Sequence, residues 1–458
     1  MLNKNGHVVF GVITFLLFLV LVIISLYSKT GLFIWPYASL LAVIVFVLAF
    51  TNTDNALIVL IFSMLLSPEF ELGGIHGRAV VLRLDDIFLF MVFLGWFAKT
   101  AINKELGLLR KNILNKPIII YIFICVISSA FGIIGGTTDA RYSFFYIIKY
   151  IEYFIIFFMV SNNVRDEKQV KVFLFYMLLT CLIVCVYALR FTFVEGMRAS
   201  APFEGRAGEP NTLAGYLLIM ISLVIGFILY ANSLRKLLLG GGFLILMMVT
   251  LLYTLSRAGW LGFAMAFITF VVFSRRAKVG LILVSIILIL AAPAILPQRI
   301  ISRFQSTFVG GQTYNVLGRK VILDESASLR IKSWQGSLEA WMKNPIFGWG
   351  VPGGGVVSDV QYTRILREVG IVGFIVFLWM IATLFKTAFR SFRLPNMNDF
   401  GKGLSLGFIA ALVGILGMGV AAEVFIIIRI MEPFWFLAAI VSTLPEIAAP
   451  AQEPVSVQ

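Results

Sequence analysis

The sequence predicts an all-α polytopic membrane protein of about fourteen transmembrane helices, because runs of ~20 mostly apolar residues, enough to cross ~30 Å of hydrocarbon, recur along the chain. Composition agrees: of 458 residues, 60% are hydrophobic and 13% charged, and mean hydropathy is +0.98. Backbone groups inside lipid must be satisfied within the spanning structure, which leaves helices or a closed barrel. No alternating period-2 pattern supports a barrel.

The candidate spans are roughly 8–27, 32–50, 55–67, 84–98, 117–135, 144–161, 171–190, 211–231, 237–254, 258–274, 279–296, 369–389, 404–423 and 427–447. The third and fourth are short, a mismatch that tilting or local thinning accommodates. Residues 1–458 are read as a single membrane domain. The first run is long enough to span and no small-residue cleavage site follows it, so no cleavable signal is expected. No internal repeat is evident, which argues against an inverted-repeat transporter. Cys125, Cys181 and Cys185 fall inside apolar runs and read as small core residues. His7 and His76 are far apart, and no metal-ligand spacing occurs. No cofactor and no nucleic-acid partner are expected.

Loop charge sets orientation. Lys99, Lys104, Arg110, Lys111 and Lys116 cluster after the fourth span, and four later loops are also basic: Arg165 to Lys171, Arg235-Lys236, Arg275 to Lys278 and Lys386 to Lys402. All fall on one side, which the positive-inside rule makes cytoplasmic, with both termini cytoplasmic in an inner-membrane protein. Residues 191–210, the Ser256-Arg257 turn and the polar segment 297–368 then lie outside. Of the 37 Lys and Arg residues, the inner set is mostly lysine and the outer set mostly arginine. Lysine suffices for topology, whereas the guanidinium fork matches phosphate oxygens. The competing reading is that a long translocated loop escapes the charge rule and is arginine-rich by chance.

Four constellations carry candidate chemistry. Phe203 to Asn211 places Arg206 on a small-residue loop, with Pro210 suited to a helix start and Glu209 and Asn211 at its positive end. Ordinary capping beside a snorkelling arginine is the alternative. Thr254 to Trp260 joins two apolar runs with almost no loop, so Arg257 sits near the membrane surface and needs a carboxylate or a phosphate as partner. A tight turn anchored by Trp260 would look the same. Ser328 to Asn344 repeats Ile331, Trp334, Leu338 and Trp341 on one helical face and Arg330, Ser333 and Ser337 on another. That pattern predicts an amphipathic helix on the outer surface, either presenting Arg330 or only covering the bundle. Asp359 lies just before Tyr362, Arg364, Arg367 and Glu368, as a carboxylate able to accept a proton from a hydroxyl or merely to pair with the arginines.

Together these residues resemble the O-antigen ligase and Wzy-type O-antigen polymerase superfamily of membrane glycosyltransferases. The resemblance rests on Leu255-Ser-Arg-Ala-Gly-Trp260, Arg330 before Trp334, Asn344-Pro-Ile-Phe-Gly-Trp-Gly350, and Tyr362 through Glu368-Val-Gly370 to Phe374. Lys149 to Phe154 and Arg206 to Asn211 add to it. It is densest over about 203–375. It implies a C-type glycosyltransferase-like bundle with one large periplasmic loop, acting without a metal on a glycan carried by undecaprenyl pyrophosphate. Membrane lipids, and a chain-length regulator or other polysaccharide assembly proteins, are the other partners it implies. Arg206, Arg257 and Arg330 would hold the pyrophosphate, and Glu209, Asn211, Tyr362, Arg364 and Arg367 would line the substrate site. Family ligases carry a histidine followed by asparagine where this chain has Asp359 and Val360, which turns the reading toward a polymerase with Asp359 as orienting group or base. A ligase transferring to lipid A–core is the alternative. A lipid-linked oligosaccharide flippase is the third reading; it predicts charges deep within several spans, where the sequence shows only Lys149 and Glu152.

Overall fold

The computed structural model describes residues 34–75, 78–102, 110–204, 208–274, 277–306, 312–316, 319–354 and 360–448. The first expected span, 8–27, lies outside them. Eight described helices are long and apolar enough to cross a membrane. They are α4 (Asn115–Ile134), α5 (Ala140–Asn163), α6 (Glu167–Glu195), α7 (Pro210–Leu229), α8 (Leu234–Tyr253), α13 (Gln361–Arg393), α14 (Asp399–Met418) and α15 (Ile428–Ile447). The helices α1 (Ile34–Thr51), α2 (Thr53–Leu66), α3 (Leu84–Ile102), α9 (Arg257–Phe273) and α10 (Lys278–Ile295) cover five more of the expected spans. Local chemistry fixes their ends: Asp166, Ser233 and Asn398 each accept a hydrogen bond from the backbone N–H three residues on, capping α6, α8 and α14.

Two short antiparallel hairpins, which hydropathy alone does not reveal, interrupt the helices. The first pairs β1 (Glu69–Ile75) with β2 (Arg78–Arg83), and the second pairs β3 (Gln312–Val316) with β4 (Arg319–Leu323). The polar segment expected as one loop therefore has structure. It contains α11 (Gln298–Gln305), the second hairpin and α12 (Glu325–Lys343), and it ends inside the first turns of α13.

The chain divides into two compact units, one of residues 1–111, 152–209 and 432–458, the other of 112–151 and 210–431. In the first, α1, α2 and α3 pack on one another and α2 packs on α6. Asp54 ties this unit together by accepting from Asn163 and, at 2.7 Å, from Gln169 Nε2. Cys181 and Cys185 are buried here and Cys125 in the second unit, all three as free thiols.

In the second unit α7 and α14 form the centre. Every residue of α7 from Thr212 to Gly226 is buried. Glycines permit the close approach: a side chain at Gly226 would meet the backbone of Gly403 and Gly407, the small-residue packing that substitutes for a hydrophobic driving force in lipid. Gly262 of α9 faces Gly414 of α14 in the same way. The N-termini of α7 and α9 thus share one end with the C-terminus of α14. The N–H of Gln361 donates to Gly419 O at 3.2 Å, which brings the start of α13 to that same end.

Buried charge is more plentiful than the sequence reading allowed. Lys149 and Glu152 within α5 are half-buried, whereas Asp85, Arg364, Arg367, Glu368, Arg429 and Glu432 are buried. Most lie near helix ends, where hydropathy averages over them.

Candidate functional site

At the α7/α9 end of the second unit, Leu255 takes a left-handed backbone conformation, φ 51°, that makes the turn between α8 and α9 tight. Ser256 then caps α9, its hydroxyl accepting from Gly259 N at 3.2 Å. The same hydroxyl donates to Asn211 Oδ1 at 2.7 Å, so Asn211 is locked to the turn carrying Arg257. Arg257 meets Asp324 through Nη1 to Oδ2 at 2.7 Å and Nη2 to Oδ1 at 3.2 Å, a two-pronged pair. The two side chains are only 13% and 14% exposed, so solvent does not screen the pair as it would a surface one. Asp324 is also the N-cap of α12, accepting from Ala327 N at 2.9 Å. One carboxylate thereby fixes an arginine and starts α12.

Arg303 of α11 reaches the same turn, its Nε donating to Leu255 O at 3.5 Å. Partial burial and then the Arg257 charge hold the Arg303 guanidinium below the usual arginine range, against the pull of Asp324. Burial alone would raise Asp324, but the hydrogen bonds from Arg257 and Ala327 and the two arginine charges hold it below the usual carboxylate range. Among the described residues, Arg257 and Arg303 thus bring two guanidinium groups to one turn beside Asp324.

A second cluster stands at the start of α13. Arg364 Nε donates to Glu368 Oε1 at 2.7 Å, and Arg364 Nη1 meets Glu423 Oε2 at 2.6 Å. Arg367 Nη2 lies 3.5 Å from the same Glu368 oxygen. The Arg364 guanidinium also sits over the Tyr146 ring, 5.5 Å from its centroid. Gln361 Oε1 accepts from Val424 N and Phe425 N at 3.0 and 2.9 Å, and the Tyr362 hydroxyl donates to Leu416 O at 2.5 Å. Arg364, Arg367 and Tyr362 are thus bound into the protein itself.

Helix α13 is broken within this cluster. Gly370 has φ 64° and ψ −168°, and a Cβ there would run into the Ile346 carbonyl. The break frees backbone groups, and the Asn344–Gly350 turn takes them up. Ile371 N donates to Pro345 O at 2.8 Å and Val372 N to Ile346 O at 3.3 Å. In return Trp349 N donates to Arg367 O and Gly350 N to Glu368 O, both at 2.9 Å. From α4, Ser128 donates to Phe347 O and, at 2.6 Å, to Glu368 O. Non-helical backbone at a span is tolerated where protein satisfies it in this way.

The sequence-predicted site residues therefore fall into three sets. Asn211 and Arg257 come together through Ser256, and Arg364, Arg367 and Tyr362 gather at the start of α13. Arg330 is half-buried on α12, on the side of the buried Ser333 and Ser337, while Trp334 and Leu338 are exposed. Glu209 belongs to the first unit; its side chain is exposed and its N–H donates to Ser200 Oγ at 2.9 Å. Arg206 and Asp359 lie outside the described residues. Sequence reasoning gave no role to Asp324, Glu423 or Gln361, whose partners are distant in the chain. Arg303 likewise received no individual role there, as one arginine of the polar segment 297–368.

Residues 242–378 match the family model described as O-antigen ligase. The match spans α9 to α12, the Asn344–Gly350 turn and the broken part of α13, and it overlaps the region in which the sequence resemblance is densest. No curated protein matches the chain.

Proposed function

We infer that this is a membrane protein that ligates or polymerises lipid-linked glycans, a reading supported by the family match and by the helices long and apolar enough to span. We propose that this chain polymerises undecaprenyl-pyrophosphate-linked repeat units at the outer face of the cytoplasmic membrane. The observation that carries this reading is the gathering of Arg257 and Arg303 at one turn, Arg257 bonded to Asp324 and Arg303 to Leu255 O. A cluster of guanidinium groups suits a diphosphate, whose oxygens their forks can take up. Such preorganised charge stabilises the diphosphate as it leaves, commonly the largest single catalytic contribution. Arg206 and Arg330 would extend the anion site. Asp359 would orient the acceptor hydroxyl or take its proton, Glu209 and Asn211 would meet the glycan, and no metal would be required.

Arg364, Arg367 and Tyr362 are given a supporting role. Arg364 is engaged by Glu368 and Glu423, Tyr362 by Leu416 O, and Arg367 Nη2 lies 3.5 Å from Glu368, so the three hold the start of α13 in shape around the Gly370 break.

The test is reconstitution of the full chain in liposomes with a defined undecaprenyl-pyrophosphate-linked repeat, followed by product-length analysis. Arg257→Ala should lower the rate by roughly 10²-fold while the protein still inserts. Normal chain-length distributions from both Arg206→Ala and Arg330→Ala would overturn the extended anion site. The description of the matching family favours a second reading, a ligase. Deletion in cells separates the two: retention of single-repeat caps marks a polymerase, and loss of all surface glycan marks a ligase.

A further inference from the structure

At the other end of the second unit, away from Arg257, a cavity of about 840 Å³ opens among the C-termini of α7, α9 and α13 and the N-terminus of α14. Val272 and Leu394 form part of an apolar wall, while Tyr230, Ser274, Arg393 and Lys402 supply polar groups. Asp399 is the single carboxylate in the lining. Lys402 is half-buried, and among the described residues neither it nor Arg393 has a carboxylate within ion-pairing distance. Arg393 instead lies over the Phe389 ring, 5.5 Å from its centroid. Arg275 and Arg276 follow Ser274 directly in the sequence.

A cavity with an apolar wall and, among the described residues, two cations to one carboxylate, set at the ends of spanning-length helices, has the composition of a lipid headgroup site. The apolar wall would take the upper acyl chain and glycerol, and Lys402 and Arg393 the phosphodiester. We propose that this cavity binds one anionic phospholipid, distinct from the lipid-linked substrate handled at the opposite end. A zwitterionic lipid offers the same phosphate but carries a compensating cation, which Lys402 and Arg393 would repel.

The experiment uses the full-length protein, delipidated in neutral detergent and titrated with phosphatidylglycerol or phosphatidylcholine, with bound lipid counted by native mass spectrometry. Wild-type protein should retain one phosphatidylglycerol about tenfold more strongly than phosphatidylcholine, as two interfacial cations imply. The double variant Lys402→Ala/Arg393→Ala should lose that preference. Val272→Trp, which keeps the charges and fills the wall, should lose it as well. Arg235→Ala/Lys236→Ala removes two exposed cations that do not line the cavity and should leave it intact. The proposal is overturned if wild type shows no preference, if the Lys402/Arg393 variant keeps it, or if Val272→Trp is unaffected, since charge alone then attracts lipid diffusely. Equal displacement of phosphatidylglycerol by millimolar inorganic phosphate would also overturn it, by marking a free-phosphate site.

Discussion

Arg364 and Glu368 stand one helical turn apart and bond at 2.7 Å, with side chains only 6% and 2% exposed. A buried pair of this kind is worth little relative to apolar packing, but breaking it leaves a charge stranded. Arg364 carries a second carboxylate, Glu423, on the segment that follows α14. It therefore ties the start of α13 to a loop far along the chain, next to the Gly370 break.

Arg364→Ala should consequently destabilise the protein by about 3–5 kcal/mol. The expected readout is a lower melting temperature in detergent and less protein in the membrane. Glu423→Gln should cost less, because Glu423 is partly exposed and Arg364 keeps Glu368. A melting curve for Arg364→Ala that overlays wild type would remove the structural role given to this cluster.

Gly370→Ala tests the break directly. The residue is left-handed, so an L side chain costs roughly 1–2 kcal/mol in backbone strain alone, and the added carbon meets the Ile346 carbonyl. Loss of the exchanged hydrogen bonds between 345–350 and 367–372 adds to that. Hydrogen exchange should speed up at Trp349, Gly350, Ile371 and Val372 before global unfolding. Unchanged exchange at these four amides would mean that the turn does not depend on the glycine.

Much of this was legible beforehand. Hydropathy located the described spans, and the motif order placed Asn344–Gly350 and Glu368–Gly370 in one region. The 3.6-residue pattern of 328–344 separated a serine face from a tryptophan face, and α12 buries Ser333 and Ser337 while exposing Trp334. What periodicity could not give was partner choice. Asp324 could have paired with any of several nearby arginines, and Glu423 sits 59 positions after Arg364. The hairpins escaped because strands of five to seven residues carry no hydropathy signal against long apolar helices. Arg429 and Glu432 were passed over because a window of apolar neighbours absorbed them.

The outward face of α12 should touch lipid. Trp334, Leu338 and Met342 are exposed on a helix whose neighbouring stripe packs on protein, and an apolar stripe beside a membrane inserts at its interface. In liposomes containing brominated lipid, quenching of tryptophan emission should decrease in Trp334→Ser relative to wild type, by more than removal of the exposed Trp379 of α13 accounts for. Equal quenching in wild type and Trp334→Ser would place this face in water.

Asp324 gives a pH signature. Its folded carboxyl is held below the usual range, so it contributes stability that is present above the unfolded value of about 3.9 and is lost as pH falls through the folded one. The unfolded chain takes up the proton first, and stability declines on acidification. Other carboxylates titrate in the same window, so the informative quantity is the difference between wild type and Asp324→Asn. The asparagine keeps an oxygen able to cap α12 but gives up the charge facing Arg257 and Arg303. The variant should melt lower than wild type at neutral pH, and the gap should narrow as pH falls below about 4. Glycan transfer should fall in parallel, because Arg257 loses the group that aims it. A melting-temperature gap independent of pH would show that Asp324 acts only through its cap, with no part in holding the arginine pair.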